Sequence, residues 1–202
     1  MRLIGALIFP GFELLDMFGP LQMFGLLKDE FEIFMVAEVQ GDVPSNQGPR
    51  TIADATFDTR THFDLVLVPG GQGTRNEVNN PSTISWLKKV QPDAEMMLSV
   101  CTGSALLAKT GLLDGLQATT NKMAFDWVAR QGPQVEWVKK ARWVRDGNYF
   151  TSSGVSAGMD MSLAVISHLL GKERAEEVAI MAEYEWHQDP GRDPFSAMYG
   201  LA

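Results

Sequence analysis

The chain has 202 residues, 45% hydrophobic and 21% charged, a composition that suits a soluble globular domain able to bury a core without staples. Seventeen Lys and Arg against 25 Asp and Glu give a formal charge of −8, which speaks against a nucleic-acid surface, where cations must cluster on phosphates. One cysteine excludes an intramolecular disulfide, and no apolar run approaches the roughly 20 residues that a membrane-spanning helix needs. The expectation is one domain over 1–202, in the cytoplasm, with no nucleic-acid or membrane partner.

Leu3 to Phe9 is a short apolar run ended by Pro10-Gly11, as in a buried parallel strand, and too short for a leader. A helical pattern follows from Glu13 to Leu27, with a kink or a break predicted where Pro20 cannot donate to Asp16. Phe31 to Ala37 and Asp64 to Val68 read as strands, the latter running into Pro69-Gly70-Gly71. Pro81 to Val90 is a surface helix. Met96 to Val100 is a core strand that leads through Cys101-Thr102-Gly103 into a short apolar helix, stopped by Gly111. Leu116 to Thr119 reads as a strand and Lys122 to Arg130 as a helix. Val135 to Val138, Ala141 to Val144 and Tyr149 to Thr151 read as further strands, with Asp146-Gly147 a turn. Ser156 is placed as the N-cap of an apolar helix to Leu170, and Glu173 to Glu185 as the last helix. The tail from Trp186 is polar, with aromatics interspersed.

Strands alternating with helices predict an α/β fold with a mostly parallel sheet, whose sites form at the carboxyl ends of the strands. Cys101 stands at such an end, in a strand–turn–helix elbow that holds a side chain above the sheet. The start of the following helix favours a thiolate, and its free N–H groups suit an oxyanion. The backbone N–H groups of Thr102 and Gly71 are candidate donors, and Gly70 and Gly71 allow close approach of a ligand. The alternative is a small buried hydrophobe.

Asp16 shares a helix face with Phe12, Leu15, Gly19 and Met23, so burial would keep its carboxyl protonated and able to donate. Local capping near Pro20 is the alternative, and Glu13 is the rival acid. Among the histidines, His62 reads as a loop residue, His168 as packed on its helix and His187 as exposed, with a Cys–His pair across the fold left open. The small residues from Ser152 to Gly158, Gly154 and Val155 among them, suit close backbone approach to a substrate or simple tight packing. No His/Cys cluster has metal-ligand spacing and no glycine pattern matches a nucleotide loop, so neither metal nor cofactor is expected.

Several of these segments together resemble the ThiJ/PfpI superfamily over nearly the whole chain. They are Phe9-Pro10 with Leu15-Asp16 and Gly19-Pro20, Val68-Pro69-Gly70-Gly71, Ser99-Val100-Cys101-Thr102-Gly103-Ser104, Ala118-Thr119-Thr120, Val144 to Asn148, and Gly154 to Asp160. The resemblance is closest to the isonitrile (isocyanide) hydratase branch. It implies a flavodoxin-like three-layer sandwich, a homodimer, a small-molecule substrate, Cys101 as nucleophile, Asp16 as acid/base and Thr102 as a hydrogen-bonding neighbour. The implied reaction is a hydro-lyase step from isonitrile to N-substituted formamide through a covalent thioimidate, in an apolar pocket. A glyoxalase- or deglycase-like activity, which needs a histidine near Cys101, and a non-enzymatic cysteine redox sensor are the other readings. The chain departs from protease members, which place a histidine directly after the cysteine, and from the hydratase branch, which has His-Trp where Asn121-Lys122 stands.

Overall fold

The structure is a computed structural model, and it describes residues 1–201. The chain opens with β1 (Arg2–Leu7), α1 (Leu14–Gly25) and β2 (Phe31–Ala37). A small hairpin of β3 (Asp42–Pro44) and β4 (Arg50–Ile52) and a two-residue β5 (Ala55–Thr56) follow. Then come β6 (Leu65–Val68), α2 (Thr74–Glu77), α3 (Pro81–Val90), β7 (Met96–Val100), α4 (Gly103–Lys109), β8 (Gln117–Ala118), α5 (Phe125–Ala129) and β9 (Glu136–Trp137). The chain continues through β10 (Trp143–Asp146), β11 (Tyr149–Ser152), α6 (Ala157–Leu170), α7 (Lys172–Met181) and α8 (Phe195–Met198).

The main sheet has the order β10-β11-β7-β6-β1-β2-β5, parallel except for the β10–β11 hairpin at its edge. Its central strands are buried on both faces, which is why they read as unbroken apolar runs: Leu65–Val68 and Met96–Val100 are buried throughout. Helices α1 and α6 pack together on one face; α3 and α4 pack together on the other. The result is the expected three-layer α/β sandwich. From β1 the chain first steps outward to β2 and then returns to place β6 on β1's other side, so a crevice opens at the carboxyl ends of β1 and β6.

Four expectations differ from the structure. Of the kink or break expected at Pro20 the break does not occur: helix α1 continues through it, its apolar face (Met17, Leu21, Met23 and Phe24) held against the core while only one backbone bond is forgone. Ser156 occupies the N-cap position of α6 but its side chain makes no capping bond. The last long helix ends at Met181, since Glu183 turns to φ +48°. His168 is exposed on α6, with both ring nitrogens 3.0 Å from the Arg145 guanidinium. Among the described residues no helix is long and apolar enough to cross a membrane.

Candidate active site

Three loops meet above the carboxyl ends of β1, β6 and β7. The loop after β1 and the loop after β6 are laced together by backbone bonds, Glu13 N–H to Gly70 C=O at 2.9 Å and Gly73 N–H to Gly11 C=O at 3.1 Å. The turn after β7 is the elbow. Cys101 adopts φ +56°, in the left-handed region that a residue with a Cβ enters only when its surroundings force it. Its N–H donates to the Ser153 carbonyl at 2.9 Å, and its own carbonyl accepts from Thr120 Oγ1 at 2.8 Å and Ser104 Oγ at 3.1 Å. Gly103 completes the turn: a Cβ there would lie 2.2 Å from the Val68 carbonyl oxygen.

Asp16, on the first turn of α1, is fully buried beneath this elbow. Its Oδ2 accepts the Gly70 N–H at 2.9 Å, while Oδ1 has no hydrogen-bond partner among the described residues. Burial pushes the Asp16 carboxyl up to about 7, against the pull of the Gly70 N–H. The Cys101 thiol, 7% exposed, is pushed well above its ordinary value, first by burial and then by the negative charge of Asp16. The backbone N–H groups of Thr102 and Val155 bear on the sulfur and oppose that rise. The expected lowering of the thiol by the helix start is therefore outweighed. The two groups titrate as a coupled pair, and their first proton leaves near neutrality.

Thr102 is buried, and its hydroxyl faces the Gly71 loop. Gly71 N–H donates to Thr102 Oγ1 at 3.1 Å, and the Thr74 hydroxyl donates to Gly71 C=O at 2.7 Å. Gly71 N–H is thus engaged rather than free for an oxyanion, and so is Gly70 N–H. Gly70 admits no side chain, since a Cβ would lie 2.6 Å from Thr102 N and 2.7 Å from Asp16 Oδ2. Val155, at φ +38°, reaches the thiol, whereas Gly154 lies against the Asn121 amide, 2.6 Å from where a Cβ would stand. Glu13 lies at the cleft rim, taken up by the Asn46 and Gln47 side-chain amides.

Above Cys101 is an open cleft of about 250 Å³, walled by Glu13, Asn46, Gln47, Gln72, Arg75 and Asn121, with Met123 and Val155 on one side. Many of these wall residues carry polar groups, yet the surface they turn to the cleft is more apolar than polar, through Met123, Ala124, Val155 and the stems of the longer side chains. None of the three histidines lines it: His62 lies near Asp64 and Asp93 at the opposite end of β6, His168 sits on Arg145, and His187 is in the tail. Sequence reading marked Asn121 as a departure from the hydratase pattern but did not single out Gln72 or Arg75, whose only signal is their position just after the strand end at Pro69-Gly70-Gly71.

The tail folds back on its own chain. Fully buried Asp160 of α6 accepts from Arg142 at 2.6 Å, from the Tyr184 hydroxyl at 3.0 Å and from His187 N–H at 2.9 Å. Buried Asp193 accepts from Ser153 Oγ and stands 3.8 Å from Lys122 Nζ. Lys122, lowered to about 8 by burial, donates to Thr119 Oγ1 and the Ala141 carbonyl. Asn121-Lys122 thus divides its duties, one residue lining the cleft and the next anchoring the tail. A second cavity, lined by Phe195 and Tyr199 of the tail, adjoins the cleft across Asn121, Met123 and Val155.

The comparisons with known proteins agree with this architecture. The model of the DJ-1/PfpI family matches residues 3–168. The chain belongs to the DJ-1/PfpI family. It is 34% identical to an isonitrile hydratase of Pseudomonas putida over 181 residues, 90% of this chain and 78% of that protein. It is 30% identical to the HTH-type transcriptional regulator GbdR of Pseudomonas aeruginosa over 205 residues, covering 98% of this chain but only 55% of the regulator. Among solved structures, a ThiJ/PfpI family protein from Pseudomonas syringae superposes with a TM-score of 0.84 at 33% identity, over 91% of this chain and 75% of that one.

Proposed function

We propose that this DJ-1/PfpI family member is a cysteine-dependent hydratase that converts an isonitrile to an N-substituted formamide. The observation that carries the reading is the buried pair of Asp16 and Cys101 at the floor of an open cleft, with one carboxylate oxygen unpartnered. The likeness to the Pseudomonas putida hydratase supports it.

The working form of the pair holds one proton, which rests on the more basic sulfur; its transfer from Cys101 to Asp16 gives the reacting thiolate and carboxylic acid. The sulfur lone pair attacks the terminal carbon of R–N≡C, and that carbon takes the proton from Asp16. The products are the thioimidate R–N=CH–S on Cys101 and an Asp16 carboxylate. Water then adds to the same carbon, and Asp16 relays one of its protons to nitrogen. Asp16 next takes the hydroxyl proton as C=O forms and the C–S bond breaks, its electrons returning to sulfur. R–NH–CHO leaves and the one-proton pair is restored. The first addition builds no oxyanion, so the engagement of the Gly70 and Gly71 N–H groups does not obstruct it. In this scheme Gly70 orients Asp16, Thr102 and Gly71 fix the loop between the two groups, and the Thr102 and Val155 N–H groups steady the thiolate. Gly154 gives the close packing that brings Val155 there.

Neither alternative draws support from the site. The carbonyl-enzyme reading needs a histidine beside the thiol, and none lines the cleft. The redox-sensor reading rests on the same buried thiol and has no observation of its own that favours it over the enzyme. The proposal includes a homodimer, supported by Leu15 and Phe18, which are 41% and 43% exposed on the helix that carries Asp16. It also includes action in the cytoplasm, where a working thiol stays reduced. The test is formamide formation from cyclohexyl isocyanide by wild type and Cys101→Ala side by side, with intact mass measured during turnover. Turnover by wild type alone, with a transient adduct of one isonitrile, is expected. A wild type that makes no formamide from any isonitrile offered sinks the reading.

A further inference from the structure

Arg75 is the single cation among the described residues that line the cleft above Cys101. It lies on α2, just past the Gly-rich loop, and its guanidinium is held over the Trp127 ring at 4.3 Å. Its polar contact to another side chain is one long bond, Nη1 to Thr74 Oγ1 at 3.4 Å. No carboxylate stands within ion-pair distance of it among the described residues. Glu13, on the same cleft, is bound instead to the Asn46 and Gln47 amides. A stacked guanidinium is already oriented, so little rotamer freedom is lost when its planar fork meets an anion. The cleft also offers apolar surface at Met123, Ala124 and Val155, which suits a short alkyl chain between the reacting end and a charged end.

We infer that Arg75 is a specificity-determining residue, and that the substrate bears a carboxylate on its R group, bound by the Arg75 guanidinium while the reacting end meets Cys101. This rests on the hydratase reading for the reacting end alone. A carboxylate is favoured over a phosphate because one planar fork matches its two oxygens, whereas a dianion beside Glu13 and Asp16 would have a single cation to balance it.

The test separates binding from turnover. In Cys101→Ala, calorimetry is run with a product-like acid, 4-formamidobutanoate, against its methyl ester. The acid is expected to bind at least ten-fold tighter than the ester. The preference should fall to about one in Cys101→Ala/Arg75→Met and survive in part with Arg75→Lys, the melting temperature of each variant being checked in parallel. Inorganic phosphate should not displace the acid. In otherwise wild-type protein, kcat/KM for 4-isocyanobutanoate over its methyl ester should show the same preference and the same dependence on Arg75. Equal binding of acid and ester, absence of acid binding, or a preference that survives Arg75→Met overturns the inference. Displacement by phosphate overturns the choice of carboxylate. Arg75-dependent binding of the acid without formamide from any isonitrile leaves the anion site standing and sinks the hydratase reading instead.

Discussion

Asp16 occupies a position where a carboxylate is hard to keep charged, and that difficulty has measurable consequences. Below about pH 4 the folded and unfolded chains both hold its proton. Between about 4 and 7 only the folded chain does, so stability falls as pH rises across that interval. Asp16→Asn removes the loss, and the variant should melt several degrees above wild type at pH 8, the gap closing toward pH 4. The same substitution should lower kcat/KM by about 10²-fold or more, the usual worth of a positioned proton donor. Near-normal rates in Asp16→Asn would show that another group carries the proton. On the proposed mechanism the pair also sets the pH dependence of the rate. The two-proton state is inactive and loses its first proton near 7, so kcat/KM should rise through about pH 7 and hold into the alkaline range. A profile flat from pH 6 to 8 counts against the pair as the working unit.

At the scale of elements, the loop after β6 is fixed by a contact that only glycine allows. Gly70→Ala would push a methyl group against Thr102 N and Asp16 Oδ2, so activity should fall at least ten-fold with the sheet intact by circular dichroism. The tail depends on Asp160. Replacing it with Ala leaves the buried Arg142 charge without its partner, which should cost about 3–5 kcal/mol and expose the chain beyond Met181 to limited proteolysis. The core strands were legible in the sequence: Phe31–Ala37 and Met96–Val100 appear with the bounds their apolar runs predict, the second covered on both faces and the first over its final three residues. The β3–β4 hairpin, β5, α2 and α8 were not. Segments such as Asp42–Pro44 or Thr74–Glu77 are too short for a period; the first is shaped by bonds to β4 and to Gly11, the second is a single turn of local bonds. The site divides the same way. Cys101 and Asp16 announce themselves by an elbow and by a carboxylate on an apolar face. The wall of Arg75, Gln72 and Asn121 exists only once three strand ends have been brought together.

At the scale of the whole molecule, the expected homodimer is read directly by light scattering, which should give twice the monomer mass. Leu15→Glu, on the exposed side of α1, should shift it toward monomer, and a wild type that stays monomeric at millimolar concentration removes the dimer. The chain carries one cysteine, and the fold buries it to 7% exposure. Every thiol-directed reagent therefore addresses a single known place. Alkylation in native buffer counts how often that place opens, while alkylation in denaturant gives the rate for a free thiol. Their ratio is a local opening equilibrium read without any added probe. The protein thus holds its own stopwatch, set at the point where its chemistry is proposed to occur.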